Sequence, residues 1–183
     1  TNLDNIEISP ENHLFAYIDN KYLVCKSNET SNDYDILCYG RYDLEEAVIP
    51  SFVKVLQRHC FNIHLQSIIF PDDANIEEIQ YGVLNKSIKK LKIPKTLKKI
   101  DQNCFQITHN LIEVDVSPEN KMFTIVDNKF LLTKSENDRT IFDQLIFCRR
   151  DANDAIIPQY VKTIGAYSFT RCNQLKCLTI PSN

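Results

Sequence analysis

The stretch that decides the fold is Ile156–Pro181, IIPQYVKTIGAYSFTRCNQLKCLTIP, which opens and closes on an isoleucine-proline step. It ends in the run Leu175/Leu178/Ile180, whose last step has the two-residue period of a β-strand. Proline ends such a run because it has no N–H to donate to a neighbouring strand. The stretch is therefore one strand-bearing unit, with its other core positions at Val161, Ile164, Ser168 and Phe169.

The same spacing recurs along the chain. The same series of core positions follows Pro50 and Pro94 at identical distances. After Pro71 each core position lies two residues further along the chain, because Asp72–Asn75 widens the turn. A period of about 21 to 24 residues with an L-x-x-I-x-I strand signature is typical of a leucine-rich solenoid. The signature appears at Leu65/Ile68/Phe70, Ile88/Leu91/Ile93 and Leu175/Leu178/Ile180, with variants at Leu3/Ile6/Ile8 and Leu111/Val114/Val116.

A longer repeat contains the short one. Residues 8–61 align with residues 116–169 without a gap, and about 21 of some 54 positions are identical. In each copy two apolar tetrapeptides flank Asp-Asn-Lys, and asparagine tolerates the positive φ of a tight hairpin. The sequence therefore predicts two β-meanders, with strands at Phe15–Ile18, Tyr22–Cys25 and Asp35–Tyr39, and at Phe123–Val126, Phe130–Thr133 and Asp143–Phe147.

These repeats predict one β-dominated, right-handed leucine-rich repeat solenoid of the α/β class, into which the two meander units are inserted. One coil cannot bury enough apolar surface to offset the backbone entropy of ordering it, so neighbouring coils must stack. The expected units are short ones at about 50–71, 71–94, 94–118 and 158–181, and hairpin-bearing long ones at about 10–50 and 118–158.

Composition excludes several classes of protein. The chain has 183 residues, 43% of them hydrophobic and 25% charged, and a net charge of -3. These values are ordinary for a globular protein and leave no basic stripe for nucleic acid. The longest apolar runs, such as Phe130–Leu132, are far shorter than a membrane span. We therefore expect neither nucleic-acid binding nor membrane insertion in this segment.

The quoted stretch resembles the BspA-like leucine-rich repeat, IPxxVxxIGxxAFxxCxxLxxIxIP, in nearly every position. The hairpins resemble that family's VDGVLY interruption, with Asn20 and Asn128 where glycine is usual. The resemblance covers essentially the whole chain. It implies a surface antigen of the kind found on mucosal bacteria and protists, engaged in adhesion to host cells, matrix proteins or other microbes.

Solenoids need polar caps at their ends to stay soluble. Leu3 lies inside a strand signature and Pro181 directly follows one, so neither end carries a cap. We therefore expect the chain to be part of a longer array, or its ends to be covered by end-to-end self-association.

The sequence predicts no catalytic residues, no cofactor and no metal. Three glycines leave no phosphate-binding loop, and Ser51-x-x-Lys54 lacks the further motifs of the penicillin-binding enzymes. The pattern His59-Cys60-x-x-x-His64 lacks a fourth zinc ligand. An odd count of seven cysteines favours free thiols, although Cys25 and Cys38 fall on adjacent strands where pairing is possible. Asn28 and Asn85 begin glycosylation sequons, which arise by chance in such a chain.

Function is expected on the concave sheet face, because solenoids bind through this extended surface. Because side chains alternate along a strand, the residues between the core positions lie on this face. They include a quartet of charges, in which the basic pair Lys90 and Lys92 lies beside the acidic pair Glu113 and Asp115. Mutually compensating solvated charges are an equally good interpretation of that quartet. The predicted face consists of Asn5, Glu7, Ser67, Ile69, Lys90, Lys92, Glu113, Asp115, Cys177 and Thr179.

The leading hypothesis is a non-catalytic module that binds a host, matrix or microbial protein at the cell surface or after secretion. An intracellular scaffold or assembly protein is the alternative, and its cytoplasmic location would suit free thiols. A regulatory partner of an enzyme is a third interpretation.

Overall fold

The computed structural model describes Leu3 and residues 5–135 and 140–182, and in them the chain is a β-solenoid of about six turns. The helical content of the described residues is a single 3-10 segment, Gln102–Gln106, so the expected β-dominated solenoid is confirmed. The strands are β1 Phe15–Ile18, β2 Tyr22–Cys25, β3 Ile36–Gly40, β4 Glu46–Val48, β5 Val55–Leu56, β6 Ser67–Ile69, β7 Glu78–Ile79, β8 Lys90–Ile93, β9 Lys99–Ile100, β10 Glu113–Val116, β11 Phe123–Val126, β12 Phe130–Thr133, β13 Gln144–Cys148, β14 Asp154–Ile156, β15 Thr163–Ile164 and β16 Cys177–Thr179.

Each short unit contributes two strands. The strand before the proline pairs in parallel with its equivalent in a neighbouring unit, giving the pairs β4–β6, β8–β10 and β14–β16, which we call the face strands. The strands after the prolines, β5, β7 and β9, form a parallel ladder that begins with β3 of the first meander. In the same way β15 pairs in parallel with β13 of the second meander. We call β5, β7, β9 and β15 the post-proline strands.

The two meanders extend these ladders. Strands β1, β2 and β3 are antiparallel and lead into a six-stranded sheet, while β11, β12 and β13 lead into a four-stranded one. The four hairpin strands begin and end where the sequence predicts, and the third strand of each meander lies one residue later than expected. A buried aspartate precedes each third strand and accepts a backbone N–H, from Ser27 to Asp35 at 2.9 Å and from Ser135 to Asp143 at 3.0 Å.

The core follows the repeat spacing. Apolar residues of the first meander, of the first three short units and of part of the second meander form one continuous cluster. A second cluster, around Phe130 and Leu145, reaches into the last unit through Val161. Phe105 and Phe147 are both fully buried, and their ring centroids lie 5.1 Å apart, joining the unit before the second meander to the meander itself. The last unit is less covered, since Ile164 is 46% and Leu178 41% exposed.

Candidate functional site

Strand alternation builds the predicted face. On β8 the burial pattern alternates, with Leu91 and Ile93 buried and Lys90 and Lys92 exposed. The reason is geometric: successive side chains of a strand point to opposite sides, and only one side faces the core. Face residues are therefore spaced two apart along each strand and lie opposite one another between strands.

The centre of the face is a charged quartet. Lys90 lies opposite Glu113, with 2.7 Å from Nζ to Oε2, and Lys92 lies opposite Asp115. The hydrogen bond that Lys90 donates to Glu113, together with the nearby negative charges of Glu113 and Asp115, raises the pKa of Lys90 above its usual value. The side chains of Lys90 and Glu113 stay largely in water, where such a pair contributes little to folding.

Beside the quartet lies a mixed polar and apolar pair of strands. Ser67 lies opposite Glu46 and donates its hydroxyl to Oε2 at 3.1 Å. Ile69 lies opposite Val48, and these two side chains are 40% and 48% exposed. The two side chains form a small exposed apolar patch on this part of the sheet face.

The last pair of face strands carries the other two predicted residues. Cys177 lies opposite Asp154, and Thr179 lies opposite Ile156, which is 64% exposed. The predicted Asn5 and Glu7 differ from the rest, because they lie before β1 in a segment without strand pairing. Their exposure still alternates with half-buried Ile6 and Ile8, and Asn5 donates to Glu7 at 3.2 Å.

Sequence reasoning missed four residues of this face, namely Glu46, Val48, Asp154 and Ile156. They lie on β4 and β14, which end the two long units. The signal was present in Leu44-x-x-Ala47-x-Ile49 and Ala152-x-x-Ala155-x-Ile157, each directly before a proline. Alanine in the central core position hides the strand signature, although Ala47 and Ala155 are buried as that position requires.

The second meander is tied to the face strands. Lys129, at its hairpin tip, donates from Nζ to the backbone carbonyl of Asp154 at 2.8 Å. In both meanders an arginine donates to the carbonyl of the hairpin asparagine, Arg41 to Asn20 at 3.1 Å and Arg149 to Asn128 at 3.2 Å. The hairpin tips are thus held in place by residues that follow them within the same long unit.

A polar centre lies beneath the second meander. Arg150 is 4% exposed, and its guanidinium donates to the carbonyls of Phe105, Thr108 and Ser168. It also approaches the Cys172 sulfur at 3.7 Å. A hydrogen bond with Cys148 and the Arg150 charge lower the pKa of Cys172 to about 6, while the same thiol contact and burial raise the pKa of Cys148 far above its usual value.

A large cleft lies away from the face. Its volume is about 710 Å³, and it opens where β9 meets the second meander, between Ile100, Asp101, Phe123 and Ile146. No histidine or cysteine lines it, so this cleft brings together no thiol or imidazole that could act as nucleophile or base.

Two of the four histidines pack against tyrosine rings. His59 packs edge-on against Tyr81 and His64 against Tyr42, with ring centroids 5.0 and 5.5 Å apart. Within the described ranges no three potential ligands converge on a metal position. Asn85 is buried and donates its amide to two backbone carbonyls, so of the two sequons Asn28 is the one with an exposed asparagine. No helix among the described residues is both long and apolar enough to cross a membrane.

The stacked strand-and-proline units define the class of protein, a leucine-rich repeat solenoid. The sequence matches the family described as BspA type leucine rich repeat region in six copies, over residues 34–144 and 140–183. The chain belongs to this family. No curated protein matches the sequence.

Solved structures share the fold. The pneumococcal vaccine antigen PcpA is 27% identical over 74% of this chain, with a TM-score of 0.65. A leucine rich cell surface protein from Faecalibacterium prausnitzii A2-165 is 18% identical over 74% of this chain, with a TM-score of 0.55. A leucine-rich repeat protein from Eubacterium ventriosum ATCC 27560 is 20% identical over 76%, with a TM-score of 0.53. This chain spans 33%, 41% and 42% of those three chains, respectively.

Proposed function

We propose that this chain is a non-catalytic protein-binding module of a cell-surface or secreted protein, and that it binds a host, matrix or microbial protein through its face strands. The observation that carries the proposal is the face itself. It sets an exposed Ile69–Val48 pair beside a charged quartet of both signs, and both groups lie on parallel strand pairs. Interfaces of this kind combine an apolar anchor with a polar surround.

The surface location rests on the relatives. PcpA is described as a vaccine antigen, and the F. prausnitzii protein as a cell surface protein. Proteins built from leucine-rich repeats generally bind other proteins. Adhesion is the function that combines a cell-surface location with binding to another protein.

The binding face is tested by charge reversal. The variant Lys90→Glu, Lys92→Glu, Glu113→Lys and Asp115→Lys keeps the net charge and lets each pair re-form with opposite polarity. We expect it to weaken binding to immobilised extracellular-matrix proteins by about tenfold or more, since like charges then face the partner. Surface plasmon resonance measures the change.

A matched control lies at the start of two post-proline strands, β7 and β9. Lys98 pairs with Glu77 at 2.8 Å and Lys99 with Glu78 at 3.0 Å, in similarly exposed positions. Reversing these four charges should leave binding unchanged. If the face variant binds as well as the control, the assignment of the face is wrong, while a parent chain that binds no matrix protein would contradict adhesion to matrix.

The location is tested separately by antibody staining of native cells, with and without permeabilisation. Staining of intact cells supports the surface assignment. Signal that appears only after permeabilisation would favour an intracellular scaffold, the second candidate. The seven free thiols of the structure suit that candidate.

A further inference from the structure

Two cysteines of the first meander lie in contact. Cys25 is the last residue of β2, and Cys38 lies near the middle of β3, so the two do not face each other directly. The register shifts between Leu23 and Val24, which pair with Tyr39 and Leu37 and leave Cys38 as the extra residue of a β-bulge. The extra residue of a bulge interrupts the regular alternation of side chains between the two sides of the sheet and so changes the direction of its own side chain. The result is a distance of 2.9 Å between the two sulfur atoms.

We propose that Cys25 and Cys38 are a modification site, an oxidisable thiol pair that forms an intrachain disulfide and braces β2 against β3. Three observations support it. The sulfurs are already closer than the ordinary contact distance of two thiols, the strands that carry them are paired on both sides of the bulge, and both side chains are partly accessible to a small oxidant. A bond therefore needs only a small rotation of each side chain.

The second meander provides an internal comparison. It has the same register shift, between Leu131 and Leu132, and its extra residue is Ile146. The positions of Cys25 and Cys38 are held there by Thr133 and Ile146, and Thr133 donates to the carbonyl of Met122 at 3.0 Å. The meander thus folds without any sulfur at these positions. The cysteine pair of the first copy is not required by the bulge and is free to serve another purpose.

The reaction is a thiol-disulfide exchange with a small-molecule disulfide such as glutathione disulfide. Cys38 donates its S–H to the Cys25 sulfur, and burial together with this contact raises the pKa of Cys38 to about 12. In the first step the Cys25 sulfur attacks one sulfur of glutathione disulfide, its thiol proton is released, and one glutathione thiolate leaves. Cys38 then gives up its proton and attacks the mixed disulfide at Cys25, releasing the second glutathione. The protein loses two protons and two electrons, and glutathione disulfide is reduced to two glutathione molecules.

Peptide mapping tests the proposal directly. The folded chain is equilibrated with glutathione disulfide, its remaining thiols are alkylated, and it is digested with trypsin. Cleavage after Lys21, Lys26 and Arg41 places Cys25 on residues 22–26 and Cys38 on residues 27–41, so only a disulfide can join the two peptides. We expect a joined pair whose mass is lower by two hydrogen atoms than the sum of the two free peptides, and a rise in melting temperature of about 5 to 10 °C over the reduced protein.

The control variant copies the second meander. Cys25→Thr with Cys38→Ile should fold, as judged by an unchanged circular dichroism spectrum, and its melting temperature should not respond to glutathione disulfide. Two separate peptides from folded, oxidant-treated native chain would overturn the proposal. A link between residues 140–149 and 172–176, which carry Cys148 and Cys172, in place of the predicted one would overturn it as well.

Discussion

Arg150 shows how one residue can join two repeat units. Its guanidinium hydrogen-bonds to carbonyls of Phe105 and Thr108 in one unit and of Ser168 in another, at 2.9, 3.1 and 2.9 Å. Its charge also lies 4.5 Å from the centre of the Phe147 ring. Burial lowers the pKa of Arg150, but the surrounding carbonyls satisfy its donors. A planar group with five donors in fixed directions suits this position, whereas an ammonium group does not.

We therefore expect Arg150→Lys to lower the free energy of unfolding by about 2 to 4 kcal/mol, because buried carbonyls lose charged donors. Urea unfolding followed by circular dichroism measures the change. Arg58→Lys, at an exposed position, should change it by less than about 0.5 kcal/mol. Equal stability of the two variants would contradict a structural role for Arg150.

At the scale of single elements, the hairpins decide how the meanders begin. Asp127 and Asn128 have φ of 54° and 49°, and Asp19 and Asn20 both have φ of 51°. Two consecutive residues with positive φ make the tight turn whose twist matches that of antiparallel strands. Asparagine and aspartate adopt this conformation more easily than other residues with side chains, although glycine adopts it with the least strain. This explains why Asn stands where the family usually has glycine.

Replacing Asn128 by alanine should destabilise the protein by about 1 kcal/mol, because a β-carbon without a polar side chain is strained at positive φ. Asn128→Gly, which removes that strain, should match the native protein or exceed its stability. Thermal unfolding of the two variants side by side makes the comparison. If alanine and glycine behave alike, the turn is not held at positive φ.

At the scale of the whole molecule, stability comes from stacking. The equivalent core positions Leu56, Ile79 and Ile100 are at most 6% exposed because each lies between neighbouring units. The next equivalent, Ile164, is 46% exposed. Each unit contacts only its neighbours. The contribution of a core side chain to stability therefore depends on whether its unit is covered by a neighbouring unit on both sides.

The same substitution at two of these positions should therefore have unequal effects. Ile79→Ala should lower the free energy of unfolding by about 3 to 4 kcal/mol through lost burial and a cavity. Ile164→Ala should cost less than about 1 kcal/mol, because much of that side chain is already in water. Urea unfolding midpoints measure both effects, and similar midpoints would contradict the stacking argument.

Much of the fold could be predicted because its signals are local. The spacing of prolines and apolar residues predicted the solenoid, and the Asp-Asn-Lys turns predicted β1, β2, β11 and β12 with their observed ends. Strands β4 and β14 escaped because Ala47 and Ala155 carry too little apolar surface to show a pattern. The predicted face therefore included the charged quartet and Ile69. It lacked Val48, which lies opposite Ile69, and Ile156, which lies opposite Thr179.

The sequence by itself determined the repeat, the order of units and the side of each strand that faces the core, because periodicity and turn preferences act over a few residues. Only the tertiary structure decided which residues of distant units meet. Arg150 bonds to Phe105 across 45 positions of the chain, and a register shift brings the Cys25 and Cys38 sulfurs to 2.9 Å. Such contacts depend on the stacking of units and on strand register, which arise only when the coils pack against one another.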